Sequence, residues 1–415
     1  MKNITRALYC SILTAVIGVL FVLAGCTTDS SLPSTTALPP PAPGSYREAA
    51  INPQTADFSL SALNFVENLG AGWNLGNTLD AHAPGLTTLS TETCWGQPST
   101  TQAMMAGLKA SGITTVRIPV TWHNHVDDAF TVDEAWMNRV IEVVNYALDE
   151  DLYVIINMHH DNEKGYYFPD EPHTPRSLEF VTRIWKQIAL MFRNYDERLI
   201  FEILNEPRLT GYANEWNWSD SDSELRTAAE IIGELEQSAL DAIRDTGSNN
   251  ENRYVMITPY VASPWAANSD HFVIPDDSAT DKLILSVHAY TPYVFAMQDP
   301  GVSTFTTAHQ GDIDSFMGML DTKFVQGLGM PVIIGEYGAT NKNNLDDRDE
   351  WFSYYCTKAA SYGMSTILWD NGNYLVPSGG SFEELYGYYN RRDSTASTQV
   401  WYFPTILDAI VTAYN

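Results

Sequence analysis

Two glutamates stand where short apolar runs give way to polar residues: Glu206 in Asn205-Glu206-Pro207 and Glu336 in Gly335-Glu336-Tyr337-Gly338. Other runs finish in equally reactive groups. One carries Arg117, one ends in His159-His160, one in His288-Ala289-Tyr290 and one in Trp369-Asp370. Two carboxyl groups facing each other across a cleft are what glycosidic bond cleavage requires: one protonates the departing oxygen, while the other attacks the sugar or activates a water. In that chemistry Glu206, as the acid, needs a site that raises its pKa by desolvation or a neighbouring anion. Glu336, as the anion, needs donors or positive charge, and Arg117 and Tyr290 are candidates. A carboxyl separation of about 5 Å would mean a covalent intermediate and retention, whereas about 6.5–9.5 Å would mean inversion.

Each of these residues also has a plainer reading. Arg117 could pair with Glu202, an inward acid set lower in the same fold. His159-His160 could be one core histidine and one solvent-facing neighbour, or a pair of metal ligands. Barrel metallohydrolases usually carry a histidine pair on the first strand, and here that run ends in Asn74, Asn77 and Asp80. No CxxC or Cys/His metal spacing occurs, so neither a metal nor a cofactor is expected. Singly, each plain reading wins; at six run ends together, a shared site does.

The elements that must position these groups alternate along the chain. Apolar runs at 70–76, 113–119, 152–158, 199–205, 253–258, 282–288, 331–337 and 365–370 read as buried strands. Between them, residues 134–149 place Trp136, Val140, Val143 and Ala147 at helical spacing, and 178–195 do so with Val181, Ile184, Ile188 and Phe192. Further helices are expected at 100–110, 222–245, 312–326, 347–361 and 401–413. Eight strands alternating with helices predict an α/β fold, a (β/α)8 TIM barrel forming a single catalytic domain. A doubly wound open sheet is the alternative, but no Gly-rich phosphate turn follows the first strand. Helix-to-strand joints are short and several strand-to-helix joints are long (159–176, 206–221, 289–311, 371–399), as expected when one rim carries the active face.

The chain has 415 residues and a formal net charge of −28. Such a surface repels phosphate backbones and argues against nucleic-acid binding. With 11 Trp, 22 Tyr and 16 Phe the chain needs a fold to bury or present its rings. Lys2, Arg6 and an apolar run from Ala7 to Ala24 form a signal peptide over residues 1–25, and Leu23-Ala24-Gly25-Cys26 resembles a bacterial lipobox. Cys26 is then the lipidated residue. With Thr27 after it, the expected location is the cell envelope, lipid-anchored in the outer membrane. Residues 26–48 read as a Ser/Thr/Pro-rich tether and 49–415 as the catalytic domain. Cys94 and Cys356 remain and are expected to be two independent buried thiols.

GWNLGNTLDA (72–81), ETCWGQP (92–98), VRIPVTW (116–122), VIINMHHD (154–161), LIFEILNEPR (199–208), SVHAYTPYVFA (286–296), VIIGEYGA (332–339) and WDNG (369–372) occur in this order. The set closely resembles glycoside hydrolase family 5, most of all its subfamily 4, the endo-acting β-1,4-glucanases. The resemblance implies retaining double displacement, with Glu206 matching the acid/base and Glu336 the nucleophile. It also implies that Asn205 binds the sugar 2-hydroxyl, that Arg117 and Tyr290 are partners of the nucleophile, and that His288 lies beside the acid/base. His159 matches the histidine under the −1 sugar, and Trp369 its stacking platform. Asn77, His160 and Trp265 are expected to contact sugars beyond that subsite. Rim aromatics (Trp95, Trp122, Trp216, Trp218, Trp265, Tyr293, Trp369) suit a neutral polymer. The leading substrate is xyloglucan, with cellulose and mixed-linkage glucan as alternatives and mannan less favoured. A monomer is expected. A surface lipoprotein that binds glycan without cutting it is the reading from another class; it predicts a degenerate site, whereas both glutamates, Arg117 and Asn205 are present.

Overall fold

The computed structural model describes residues 56–376, 381–392 and 400–415. The leader, Cys26 and the tether lie outside these residues. All eight apolar runs form strands: β1 Ala71–Asn74, β2 Thr115–Ile118, β3 Tyr153–Asn157, β4 Leu199–Glu202, β5 Val255–Ile257, β6 Leu283–His288, β7 Val332–Tyr337 and β8 Ser365–Leu368. They pair in parallel and close on themselves in chain order, the (β/α)8 barrel expected. Both faces of every strand are covered, which is why the runs are continuously apolar rather than alternating.

One principal helix follows each strand: α1 Gln102–Ala110, α2 Glu134–Asp149, α3 Thr174–Phe192, α4 Ser223–Arg244, α5 Pro264–Asn268, α6 Thr307–Leu320, α7 Leu345–Ser361 and α8 Pro404–Thr412. α2 has the predicted limits because Asp133 caps it, its side chain accepting from the Trp136 N–H, and because Trp136, Val140, Val143, Val144 and Ala147 bury one face. α6 begins at Thr307 rather than 312, where Thr306 and His309 form a reciprocal cap, and passes into a π-helical turn at Asp321–Gln326. Among the described residues no helix is long and apolar enough to cross a membrane.

Period-two alternation divides the strand side chains. Val116, Val154, Phe201, Leu285 and Ile334 face the helices and join the large outer core. Ile155, Ile200, Met256, Ile284, Ile333 and Ile367 face the axis and form a separate inner core. A short helix, Ala62–Val66, closes the lower end of the barrel with Phe65 stacked on Tyr254 at 3.8 Å. One inward position higher on β1, β2, β3, β4 and β6, the interior turns polar: Asn74, Arg117, Asn157, Glu202 and Ser286, all buried. The barrel is sealed at one end and chemically equipped at the other.

A register shift on β7 sets the direction of Glu336. Ile334 pairs with Val287, but His288 pairs with Glu336, so the intervening Gly335 is bulged. Simple alternation from the inward Ile333 would turn position 336 outward; the bulge turns it inward beside His288. A side chain at 335 would be crowded, since a Cβ there would lie 3.0 Å from Ser286 Oγ and 3.3 Å from His288 Nε2.

Candidate active site

Arg117 is the hub of the polar layer. Its Nε donates to Glu202 Oε2 (2.7 Å), Nη1 to Asn74 Oδ1 (2.9 Å) and Glu336 Oε1 (2.9 Å), and Nη2 to Asn205 Oδ1 (2.6 Å). The two readings open at the sequence level, partner of Glu202 and partner of Glu336, are both realised by one fully buried guanidinium. Glu202 also accepts from Ser286 Oγ (2.6 Å) and Asn157 Nδ2 (2.9 Å), so its charge is fully met below the cleft. Tyr290 donates to the second oxygen of Glu336 at 3.0 Å.

Glu206 sits opposite, its side chain 19% exposed against 7% for Glu336. His288 Nδ1 lies between them, 2.8 Å from Glu206 Oε1 and 3.6 Å from Glu336 Oε2. One oxygen of each glutamate and a nitrogen of His288 all fall within 4.8 Å of one another. The backbone that presents Glu206 is tied down from behind. Thr258, after β5, donates through Oγ1 to the Leu204 carbonyl (2.7 Å), and its N–H is accepted by the buried Glu236 of α4 (2.6 Å).

The charges here differ from the sequence expectation. Burial alone would raise the Glu206 pKa, but the hydrogen bond and charge of His288, with Arg208 and His160, outweigh it and lower the carboxyl below its ordinary value. His288 moves the other way: burial opposes its charge, and Glu336 and Glu206 overcome that and raise it. Glu336 is raised, chiefly by burial and further by Glu206, against the charges of His288 and Arg117 and the Tyr290 hydrogen bond. Both shifts run in the same sense: they favour a proton on His288 over one on Glu206. No sequence feature announces this, since His288 arrives on a strand 82 residues away.

His159 is buried and its ring is parallel to Trp369, with centroids 5.9 Å apart. Asn157 fixes its tautomer: Asn157 Oδ1 accepts the Val120 N–H (3.1 Å), so its amide nitrogen faces His159 Nδ1 (3.1 Å). The His159 hydrogen is then on Nε2, 4.0 Å from Glu336 Oε1. Burial, with the charges of His160 and Arg117, lowers its pKa well below the ordinary value and keeps it neutral. This bears on the metal reading. Asp80, His159 and His160 bring ligand atoms within 4.8 Å of one another, but a His159 ring with Nδ1 engaged and Nε2 protonated has no lone pair to give. The donor set does not fit a resident metal.

Trp369 rests against Gly76, where a Cβ would lie 2.8 Å from its ring. Half-buried His160 faces Asp80 Oδ2 at 3.8 Å and Trp95 at 5.5 Å between ring centroids. Burial lowers its pKa to about 3. Asn77 takes a left-handed conformation (φ 57°) in the turn after β1, its N–H donating to Asp80 Oδ2. Trp265, on α5, is 54% exposed, and Trp216, Tyr293 and Trp95 are also exposed. Trp122 is not a rim residue: it is fully buried and donates to the Asn157 carbonyl (3.0 Å). Of the two cysteines expected to be buried, Cys356 is, but Cys94 is exposed in the loop after β1; both are free.

Arg208 escaped the sequence reading. Its guanidinium lies over the Trp216 ring at 4.1 Å, donates to Glu215 (2.9 Å) and to the Glu206 carbonyl (2.9 Å), and stands 4.0 Å from Glu206 Oε2. Its place two residues after Glu206 was the only available signal.

Comparison with known proteins agrees with the barrel fold. The Cellulase family, glycosyl hydrolase family 5, matches residues 79–375. Endoglucanase A of Clostridium longisporum is 40% identical over 366 residues, which is 86% of this chain; the chain spans 66% of that relative's length. Among solved structures, the complex of a glycoside hydrolase 5 lichenase from a Caldicellulosiruptor species with cellotetraose is 40% identical, with a TM-score of 0.81 over 87% of this chain and 97% of that one. A GH5-4 broad-specificity endoglucanase from Ruminococcus champanellensis with bound cellotriose is 38% identical, with a TM-score of 0.79 over 86% and 100%.

Proposed function

The chain belongs to glycosyl hydrolase family 5, and from that premise we propose that it is a retaining endo-β-1,4-glucanase, with xyloglucan as its leading substrate. The observation that carries this reading is the close approach of the two carboxylates, one oxygen of each within 4.8 Å, with Glu336 held by Arg117 and Tyr290. That spacing suits direct attack better than a water seated between the two groups.

Glu336 attacks the anomeric carbon of the sugar in the −1 subsite, which Trp369 and His159 flank, as the glycosidic C–O bond breaks. Glu206 gives its proton to the leaving oxygen. Asn205, oriented by Arg117, binds the neighbouring hydroxyl, a contact that tightens as the oxocarbenium-like state forms. In the second step Glu206, now an anion, takes a proton from water, the water attacks the same carbon and Glu336 departs.

His288 supplies the proton that the acid needs. The ion pair (His288 charged, Glu206 anionic) and the neutral pair hold the same number of protons, so exchange between them costs no net charge. A sugar seated in the cleft displaces water and penalises separated charges, which favours the neutral pair and a protonated Glu206. Once Glu336 is glycosylated, its lost charge lets Glu206 ionise and act as base.

The similar structures, a lichenase and a broad-specificity endoglucanase, support a β-glucan backbone as substrate. The acidic surface favours a neutral polymer over an anionic one. The lipobox at Leu23–Cys26 supports attachment to the outer membrane by a lipid on Cys26. A product profile on xyloglucan, barley mixed-linkage glucan, carboxymethylcellulose and mannan tests the reading. Endo-cleavage led by xyloglucan is expected; cleavage confined to mannan, or none at all, overturns it.

A further inference from the structure

Trp369 begins where the sheet stops holding it. The pairing of β1 with β8 ends at Trp73 and Leu368. Past that point the Gly76 N–H donates to the Asp370 carbonyl (3.1 Å), and on the other side the Trp369 N–H donates to the Tyr337 carbonyl (2.9 Å). The indole ring lies against Gly76, where a Cβ would also stand 2.8 Å from the Asp370 carbonyl oxygen. The setting of the ring therefore depends on how the chain after β1 sits against the chain after β8.

Arg391 spans these two chains. It comes 21 residues after Asp370 and is 4% exposed. Its Nη1 donates to the Gly76 carbonyl (2.6 Å) and to Thr78 Oγ1 (3.1 Å). Its Nη2 donates to the Asp370 carbonyl and to Asp370 Oδ1 (3.2 Å). One planar group thus joins Gly76, on which the ring rests, to Asp370, the next residue after the ring. A lysine ammonium, a single point, could not hold both loops at a fixed separation.

The clamp is itself anchored. The guanidinium lies over the Trp73 ring at 4.9 Å, and Trp73 Nε1 donates to Asp370 Oδ2 (2.9 Å). The same oxygen accepts the Tyr388 N–H (3.2 Å) and the Tyr389 N–H (2.8 Å), while Oδ1 accepts the Gly372 N–H (2.8 Å). Asp370 therefore keeps backbone and indole donors even without the arginine. A buried ion pair adds little net stability over apolar packing. What this one supplies is geometry.

We propose that Arg391 is a positioning residue for the cleavage reaction, fixing the Trp369 platform beneath the −1 sugar by locking the loops after β1 and β8 together. The proposal rests on the retaining glucanase reading, in which Trp369 is that platform. Arg391 acts through the ring and not on the sugar.

The test is a double-mutant cycle on an aryl cellobioside: wild type, Arg391→Lys, Trp369→Ala and the double variant, with kcat and KM separated and thermal unfolding followed in parallel. A misplacement of about 1 Å can cost on the order of a hundredfold in rate, so Arg391→Lys should lower kcat about 10- to 100-fold. In the Trp369→Ala background the same change should move kcat less than about twofold, because the ring through which it acts is gone. Thr78→Val removes one acceptor of the guanidinium and leaves the ion pair in place, and serves should the lysine variant fail to fold. It should lower kcat about threefold, again only with Trp369 present. Equal losses in both backgrounds, a change confined to KM, or a lower melting temperature with unchanged kcat would make Arg391 a brace of the fold and overturn the proposal. A Trp369→Ala enzyme with wild-type kcat, or a wild type that cleaves no β-glucoside, would instead remove the platform reading on which the proposal stands.

Discussion

Replacing Arg117 with lysine tests whether one guanidinium holds the nucleophile and the hydroxyl-binding amide together. The arginine makes four hydrogen bonds from three nitrogens, to Glu202, Asn74, Glu336 and Asn205. A lysine ammonium is a single point on a shorter reach and cannot span these acceptors. It would settle against Glu202 and give up at least the bonds to Asn205 and Glu336. Hydrogen bonds of charged groups are worth about 1.5–3 kcal/mol each, so about 3–6 kcal/mol is at stake. Both lost partners touch the reacting sugar in the proposed mechanism. If the whole loss falls on the transition state, kcat/KM drops roughly 10²- to 10⁴-fold. The sign of the pH effect is also fixed. The Arg117 charge lowers the Glu336 pKa, so displacing it raises that pKa and moves the acid limb of the rate profile to higher pH. The assay is kcat/KM on an aryl cellobioside across pH, with thermal unfolding measured in parallel to separate a folding defect. A loss below tenfold with an unmoved acid limb would refute the reasoning and leave Arg117 as a structural partner of Glu202.

The wild-type pH profile should be bell-shaped. Glu336 must be ionised and its pKa is raised, so the acid limb should lie above the usual glutamate range; the proton shared by His288 and Glu206 is lost only above the ordinary histidine value, which His288 exceeds, so the basic limb should lie above about pH 6.5. Glu336→Ala should abolish hydrolysis while cellotetraose still binds by calorimetry, and azide should restore cleavage of an activated glycoside with a product of opposite anomeric configuration. Behind the acid/base, Glu236→Leu leaves the buried Thr258 N–H unmet and should cost about 1–3 kcal/mol in denaturant unfolding. Burial pushes the Glu236 carboxyl well above its usual range, so the near-isosteric Glu236→Gln should cost less than about 1 kcal/mol.

The barrel was legible because its strands are buried on both sides, so each appears as an uninterrupted apolar run. α2 was legible to the residue because a capping Asp133 and a helical apolar stripe coincide. α6 was not: the expectation placed its start at 312, past Gly311, and a polar cap formed by Thr306 and His309 carries no apolar signal. In the site, Arg117 and Glu202 stood out as charges inside apolar runs, while Asn157 and Ser286, which complete the same network, are neutral and passed unnoticed. The inward turn of Glu336 depends on the bulge at Gly335, and a glycine within a strand is its only trace in the sequence. The location of the acid's proton depends on which side chains meet across the barrel mouth, as does the burial of Trp122 beneath its own loop. These are properties of closure rather than of any local stretch.

The central claim is that Glu336 attacks carbon and forms a covalent intermediate while Glu206 serves first as acid and then as base. The configuration of the first-formed product tests it most directly. Proton NMR recorded during the first minutes of cellotetraose or xyloglucan hydrolysis should show the β-anomer of the new reducing end appearing first, with the α-anomer growing only at the rate of mutarotation. Initial formation of the α-anomer would require a water between the two carboxylates and would contradict the account.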